Sequence, residues 1–315
     1  MPKNRAVVFD PADPDRFKIA EVESPAPAAQ EALVRVAAVS LNRGEIRMSA
    51  GKPAGSPIGW DLAGTVERAA ADGSGPKVGT RVVGFVPTGS WAELVAVPTN
   101  ALAELPEGVS FAQAATLPVA GLTALYVVER ATGLLGRNAL ITGASGGVGL
   151  FACQIAQLMG ANVVAQIRNR THEDLVRKAG AAQVVISEDG AAAREFGPYR
   201  LIAESVGGNV FRNVVGMLSA DGVCVIYGGS QSADVSFNIW DLGGAARGHI
   251  SGFELFDEFT RETVSAGLGR LLKLLAGGRL KPYIEVEAPW TEVGQVATRL
   301  FNRKINGKAV LHISK

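Results

Sequence analysis

The chain has 315 residues, 47% of them hydrophobic, and this length and composition allow two domains with a sizeable core. The formal net charge is +1 with no basic block, which argues against a nucleic acid partner. Cys153 and Cys224 each lie in an apolar segment, which is typical of reduced, buried thiols in a cytoplasmic protein. Residues 1–20 lack the pattern of a signal peptide, and no apolar run reaches transmembrane length. We therefore expect a cytoplasmic α/β protein with no membrane partner.

Short strands are predicted in the first third of the chain, over residues 5–9, 17–23, 32–41, 61–68, 81–86 and 91–97. Glycine and proline turns separate these strands at close spacing, which is typical of a small β-rich domain. Residues 42–52 are polar and are predicted to hold a short helix. Ser110 is predicted to cap a helix that runs through residue 130 and leads into the next domain.

The centre of the chain combines a short buried strand at 139–142, a glycine-rich turn and an apolar helix at 150–159. This order is typical of a site for a dinucleotide pyrophosphate, because glycine lets the backbone approach the phosphates and the helix N-terminus attracts anions. An unliganded turn is the alternative, since the glycine spacing alone is a weak signal. The residues predicted to contact a cofactor here are Gly143, Ala144, Ser145, Gly146, Gly147 and Val148.

Alternating strands and helices continue after this turn. Strands are predicted at 162–167 and 183–186, and between them a helix is opened by Thr171, with Asp174 completing a capping box. This βαβαβ order predicts the mononucleotide-binding half of a doubly wound parallel sheet. Strands at 201–206 and 222–227 extend that sheet. A helix at 259–276, a strand at 283–286, a helix at 291–303 and a strand at 309–313 complete the prediction, and the last three return to the first domain.

The nucleotide preference is predicted from the end of the second strand of the sheet. An NAD site usually carries an acidic residue there to accept from the ribose 2′-hydroxyl, but this chain has Arg168, Asn169 and Arg170 instead. Guanidinium groups suit a 2′-phosphate, which accepts paired, charge-assisted hydrogen bonds. We therefore predict NADP(H) as the cofactor. The alternative is that both arginines are solvated loop residues.

Several short motifs occur in one order along nearly the whole chain. They are VSLNRG at 39–44, GWDLAG at 59–64, VGTRV at 78–82, GSWAE at 89–93, ATLP at 115–118, GLTA at 121–124, GGVG at 146–149 and GKAVL at 307–311. In this ordered set the chain resembles the medium-chain dehydrogenase/reductase superfamily, and within it the zinc-free, zeta-crystallin-like quinone oxidoreductases. The resemblance implies a GroES-like β-rich catalytic domain (1–115 and 284–315), a Rossmann NADP(H)-binding domain (116–283) and an active site in the cleft between them. It also implies a homodimer that pairs through the sixth strand.

The zinc-dependent members of this superfamily carry an early Cys and a Gly-His-Glu motif as metal ligands. Here Asn42 stands at the early Cys position and Trp60 at the His position, while the three His residues lie far from both in sequence. Zinc needs three protein ligands and an open position, so we predict no metal.

The resemblance also implies site residues. Asn42 matches an active-site Asn of the family and is predicted to stabilise a substrate oxygen, with Arg47 as a second catalytic candidate. Trp60 is predicted to line the substrate pocket. Further cofactor contacts are implied for Thr123, Tyr227, Gly228, Gly229, Ser251, Gly252 and Phe253. Structural alternatives stay open for these residues: a turn for Asn42, a solvated helix face for Arg47, and core packing for Trp60, Thr123 and Phe253. Arg43 and Glu45 are assigned no role.

Together these features predict hydride transfer from NADPH to a small electrophilic molecule, either a quinone or an α,β-unsaturated carbonyl, without a metal. No tyrosine follows Asn42 at the place where many family members have one, which leaves the proton donor unidentified. Two alternatives stay open. One is an enoyl or alkenal reductase of the polyketide type, and the other is an NADPH-binding protein without significant turnover.

Overall fold

The computed structural model describes residues 3–242 and 247–313. Its strands are β1 Lys3–Phe9, β2 Phe17–Glu23, β3 Glu31–Leu41, β4 Asp61–Arg68, β5 Arg81–Phe85, β6 Leu94–Pro98, β7 Leu102–Glu104, β8 Asn138–Ile141, β9 Asn162–Ile167, β10 Gln183–Ile186, β11 Tyr199–Glu204, β12 Leu218–Ile226, β13 His249–Gly252, β14 Ile284–Pro289 and β15 Lys308–His312. Its helices are α1 Arg43–Ser49, α2 Phe111–Ala115, α3 Leu122–Glu129, α4 Gly147–Leu158, α5 Glu173–Lys178, α6 Gly208–Val215, α7 Leu255–Glu258, α8 Val264–Ala276 and α9 Val293–Phe301.

The chain divides into two compact units, one of residues 1–122 and 259–315 and one of residues 123–258. The first unit therefore contains both ends of the sequence, and helix α8 packs within it against β5 and β7. The domain boundaries predicted at residues 115 and 284 stay predictions.

The first unit is built on a sheet with the order β14-β15-β3-β4-β5-β7, in which β6 also pairs with β3. Its pairs are antiparallel except for β14 with β15. Strand β3 lies inside this sheet. Its apolar residues recur at alternate positions and are buried, whereas Arg35 between them is exposed. The sheet brings Leu41, the last residue of β3, opposite Ala309 of β15. The start of the chain's last strand thus lies beside the loop that precedes α1.

The second unit is a doubly wound parallel sheet with the order β10-β9-β8-β11-β12-β13. Its central strands are almost wholly apolar and buried, as expected for strands covered by helices on both faces. Because these strands are parallel, the loops after β8, β9, β11, β12 and β13 leave from the same edge. This is the edge at which open α/β sheets bind ligands. The mixed α/β fold predicted from the sequence is confirmed.

Several predicted bounds shift by a few residues, and three predicted elements differ for reasons visible in the structure. The helix predicted from Ser110 through residue 130 is interrupted by a π-helical turn at Leu117–Gly121, which contains Pro118. The capping box predicted at Thr171 is wrong, because the side chain of Asn169 accepts from the Thr171 N–H and Thr171 lies in a 3₁₀ turn. The helix predicted to start at residue 259 begins only at Val264, where the Thr263 side chain caps it.

Both cysteines are buried free thiols, and burial raises the pKa of each. Among the helices of the described residues, none combines the length and apolar character needed to cross a membrane.

Candidate functional site

The glycine turn after β8 has the backbone geometry that its sequence predicts. Gly143 has a φ of +58°, in the left-handed region, and a Cβ on Gly149 would lie 2.7 Å from backbone atoms of Ala144. Helix α4 begins after Gly146, which offers no side chain to cap the first turn. The N–H groups of that turn and their partial positive charge therefore suit a bound anion. These backbone features fit a dinucleotide phosphate.

Two polar side chains, of which Gln166 is buried and Ser205 is half-buried, fix this turn to its neighbours. Gln166, in β9, accepts from the Gly143 N–H at 3.1 Å and donates to the Ser187 carbonyl at 2.6 Å. Ser205 Oγ, after β11, donates to the carbonyl of Thr142 at 3.1 Å. These contacts tie the loops after β8, β10 and β11 to β9 at the carboxyl edge of the sheet.

Glu204, the last residue of β11, organises the loop that follows it. Its Oε1 accepts from the backbone N–H groups of Val206 at 2.8 Å and Gly207 at 3.0 Å. The Thr142 hydroxyl lies 3.3 Å from the same oxygen. Burial raises the pKa of Glu204, although these hydrogen bonds act in the opposite direction. Sequence reasoning did not single out Gln166 or Glu204, although a polar residue at the end of a buried parallel strand is a usable signal.

The other residues predicted to contact a cofactor lie along the same edge of the second unit. Tyr227 follows β12, and its backbone N–H donates to the Glu204 carbonyl at 2.9 Å. Gly228 packs against Ser205, since a Cβ on it would lie 3.1 Å from the Ser205 carbonyl oxygen. Gly229 comes next in this loop. Ser251 and Gly252 are the last residues of β13, and the Phe253 N–H donates to the Ile226 carbonyl at 2.9 Å. The structure thus brings these residues to the edge that carries the glycine turn.

Arg168, Asn169 and Arg170 follow β9 at this edge and are exposed. Arg170 lies 3.4 Å from Glu173, one helical turn further on. Thr123 is 6% exposed at the start of α3. The roles predicted for these four residues stay predictions.

In the first unit, four polar side chains from three separate segments form a buried cluster, which we call the Asn42 cluster. Its members are Asn42, Glu45 of α1, Asp61 of β4 and Lys308 of β15, and each is at most 8% exposed. Asn42 Oδ1 accepts from Lys308 Nζ at 2.6 Å, and Asn42 Nδ2 donates to Asp61 Oδ2 at 2.8 Å. The Asn42 amide therefore bridges the ammonium and a carboxylate.

The remaining contacts of the cluster distinguish its two carboxyl groups. Asp61 uses both oxygens, because Oδ1 accepts from the Val119 N–H at 3.0 Å and Oδ2 lies 3.8 Å from Lys308 Nζ. Glu45 Oε1 accepts from the Asn42 backbone N–H at 2.6 Å, and Asn42 Nδ2 lies 3.3 Å from it. The backbone of Trp60 also hydrogen-bonds to the Glu45 carboxyl group.

The pKa values follow from burial and from these charges. Burial raises the pKa of Glu45 well above its ordinary value, and the charge of Asp61 raises it further. Burial also raises the pKa of Asp61, to about 6, against the opposing effects of Lys308 and of the Asn42 hydrogen bond. The pKa of Lys308 is lowered by burial, which the two carboxylates oppose.

Of the residues predicted for catalysis and the substrate pocket, Asn42 and Trp60 are brought together, whereas Arg47 lies outside the Asn42 cluster. Trp60 packs against the first turn of α1, where a Cβ on Gly44 would lie 3.0 Å from its ring. Arg47 is exposed further along that helix. Sequence reasoning gave no role to Glu45, Asp61 or Lys308. The usable signal was a charged residue directly before an apolar strand run, as in Asp61-Leu62-Ala63 and Lys308-Ala309-Val310.

The absence of a metal stays a prediction, drawn from the residues at the family's zinc-ligand positions. An indole side chain stands at one of them, Trp60, and the amide oxygen of Asn42 accepts from an ammonium group. Over residues 3–242 and 247–313, no group of three or more His, Cys, Asp or Glu side chains is arranged to hold a metal ion.

Comparison with known proteins identifies the family. A model described as a zinc-binding dehydrogenase matches residues 147–272, and one described as an alcohol dehydrogenase GroES-like domain matches residues 28–107. The chain is 30% identical to a quinone oxidoreductase of Rattus norvegicus over 303 residues, covering 91% of each protein. It is 26% identical to one of Pseudomonas aeruginosa over 313 residues, covering 95% of this chain and 96% of that protein.

A solved structure shows the same fold. A mycobacterial protein complexed with NADPH superposes with a TM-score of 0.87 at 23% identity, over 98% of this chain and 100% of that chain. The match along the rat protein and the two family models show that the chain belongs to the medium-chain dehydrogenase/reductase superfamily, in its quinone oxidoreductase branch.

Proposed function

We propose that this protein is a zinc-independent oxidoreductase that uses NADPH to reduce a quinone or an α,β-unsaturated carbonyl. The observation that carries the proposal is the Asn42 cluster, in which Lys308 provides a positive charge at the oxygens of Asn42 and Asp61. Without a Lewis acid, polarising a simple ketone is difficult, whereas quinones and enones are already electrophilic. The names of the rat and Pseudomonas relatives support the quinone class.

Bound NADPH would supply the hydride. The first turn of α4 and the loop at Gly143 would hold its pyrophosphate, and Gln166 and Glu204 keep the surrounding loops in place. We assign the 2′-phosphate to Arg168 and Arg170, which are exposed where β9 ends. The NADPH complex of the mycobacterial structure supports this choice of cofactor.

Both amide N–H groups of Asn42 face carboxyl oxygens, one of Asp61 and one of Glu45. Asn42 can donate to a substrate oxygen only by exchanging one of these contacts. We therefore propose that Asn42 positions the cluster, and Arg47, exposed on the same helix, stays the second candidate for attracting developing negative charge.

The test is oxidation of NADPH and of NADH with a quinone, an enone and a simple ketone, followed by absorbance. We expect turnover of NADPH with the quinone or the enone and none with the ketone. Equal turnover of the ketone would contradict metal-free chemistry. Tight NADPH binding without oxidation by any electrophile would instead favour a protein without significant turnover.

We also propose a homodimer formed through β13. This strand lies at the edge of its sheet, paired with β12 alone among the described strands, and Ile250 in it is 37% exposed. Sedimentation equilibrium should give twice the chain mass, and a monomer mass would contradict the proposal.

A further inference from the structure

The second unit has a groove at the edge of its sheet opposite the glycine turn, which we call the Arg200 groove. Arg200 and His249, at the amino ends of β11 and β13, line it together with Arg130, which follows α3. Its volume is about 660 Å³, which lies within the range of small-molecule sites. Every lining residue belongs to the second unit, so the groove is complete without the first.

The carboxylates at the groove are each held by another cation. Arg247 donates to both oxygens of Asp221, at 2.6 and 3.0 Å, and Arg130 pairs with Glu258. The hydrogen bond from Arg247 and, less strongly, the charge of Arg200 hold the pKa of Asp221 below its usual range. Arg200 therefore lies close enough to Asp221 to act on it, but the paired contact goes to Arg247. The positive charge of Arg200 stays in excess at the groove.

The guanidinium group of Arg200 is held in place by uncharged acceptors. Its Nε donates to the Thr132 carbonyl at 2.8 Å, and its Nη2 donates to the Thr132 hydroxyl at 3.2 Å. Its Nη1 donates to the Ala220 carbonyl at 3.2 Å. A guanidinium group has more N–H donors than these contacts use. Arg200 thus offers an anion a charge and further donors on a side chain that is already ordered, which lowers the entropic cost of binding.

We propose that the Arg200 groove binds a small organic phosphate, with the phosphate at Arg200 and the apolar body against Ile250 and Val223. Ile250 is 37% exposed, and both residues line the groove. His249 and the hydroxyl of Ser251 also line it, and a phosphate has more acceptor oxygens than a carboxylate to bond with several such donors. This site lies outside the proposed function, because neither the glycine turn nor the Asn42 cluster takes part in it.

The histidines of the chain report where such an anion binds. His249 lines the groove, His172 ends the 3₁₀ turn that follows β9, and His312 ends β15 in the first unit. Titration of the full chain with phenyl phosphate, without nucleotide, should shift the imidazole proton resonances of His249 and leave those of His312 in place. The variant His249→Gln identifies the resonances. Shifts confined to His172 would assign the anion to the proposed nucleotide site, and these or the absence of any shift would overturn the proposal.

Variants and related probes test which groups hold the anion. Arg200→Met should raise the Kd for phenyl phosphate at least about tenfold, because charge-assisted hydrogen bonds are lost. Ile250→Asp, which adds a negative charge and leaves Arg200 in place, should raise it too, whereas Arg194→Met, exposed elsewhere in the unit, should not. Inorganic phosphate and benzoate should both bind more weakly than phenyl phosphate. An unchanged Kd in Arg200→Met and Ile250→Asp, or equal or tighter binding of either probe, would contradict the assignment.

The edge strand β13 is also the strand proposed above for the homodimer. The titration is therefore repeated at a low and a high protein concentration, with the mass followed by sedimentation equilibrium. The Kd for phenyl phosphate should be the same at both concentrations, because Arg200 and the end of α3 lie outside β13. A Kd that rises as the dimer forms would show that a second copy covers the groove, and the assembled protein would then have no such site.

Discussion

Lys308 Nζ donates to Asn42 Oδ1 at 2.6 Å, although 266 positions separate the two residues in sequence. The contact joins the start of the chain's last strand, β15, to the residue before α1. Lys308 also donates to the Leu41 carbonyl at 3.0 Å, so the ammonium holds both the backbone and the side chain at this point. It is the positive charge that the buried carboxyl groups of the Asn42 cluster share.

Replacing Lys308 with methionine keeps the volume of the side chain and removes its charge. Asp61 would then be a buried carboxylate without its cation, so we expect Lys308→Met to lower the free energy of unfolding by about 3–5 kcal/mol at neutral pH. The loss should shrink in acid, where Asp61 is protonated in both states. Urea unfolding measures it, and Lys304→Met, at an exposed position before the same strand, is the control. A loss equal to that of the control would show that the buried pair contributes nothing.

The raised pKa of Glu45 predicts a pH dependence of stability. The folded protein keeps a proton on Glu45 that the unfolded chain releases above the ordinary carboxyl pKa, so stability falls as the pH rises toward the folded pKa. Asp61 adds a similar fall, but only up to about pH 6. Above that pH we expect Glu45→Gln to flatten the plot of the free energy of unfolding against pH by up to about 1.4 kcal/mol per pH unit.

Urea unfolding of the protein and of Glu45→Gln at a series of pH values above about 6 provides this measurement. Glu107→Gln should follow the unchanged protein, because Glu107 is exposed. Parallel curves for the protein and Glu45→Gln would mean that Glu45 is already ionised when folded.

The sequence predicts elements well where one local signal decides them. Strands β4, β9 and β10 have the predicted bounds, because apolar runs are bounded there by glycine or polar residues. Pro118 breaks a helix that apolar periodicity alone makes continuous. The Asn42 cluster could not be predicted in the same way, because Glu45, Asp61 and Lys308 meet only when β3, β4 and β15 pair.

The glycine turn allows a paired test of packing. A Cβ on Gly149 would lie 2.7 Å from the backbone of Ala144, which cannot move aside as a flexible side chain could. We expect Gly149→Ala to destabilise the protein by about 1–3 kcal/mol and to weaken NADPH binding. Gly269 in α8 has open space around its Cα, so Gly269→Ala should stabilise by about 0.5–1 kcal/mol. Thermal unfolding and NADPH titration measure both variants, and a loss of similar size in the two would contradict the steric argument.

The choice between NADPH and NADH tests the arginines after β9. Removing both guanidinium groups in Arg168→Ala/Arg170→Ala takes away charge-assisted hydrogen bonds worth about 1.5–3 kcal/mol each if they hold the 2′-phosphate. We therefore expect the Kd for NADPH to rise at least about tenfold while the Kd for NADH stays the same. Fluorescence titration of both nucleotides measures the difference, with Arg194→Ala, exposed elsewhere in the second unit, as the control. An equal rise in the Kd for both nucleotides would show that the arginines act on the turn as a whole. No change in either Kd would show that the arginines are solvated.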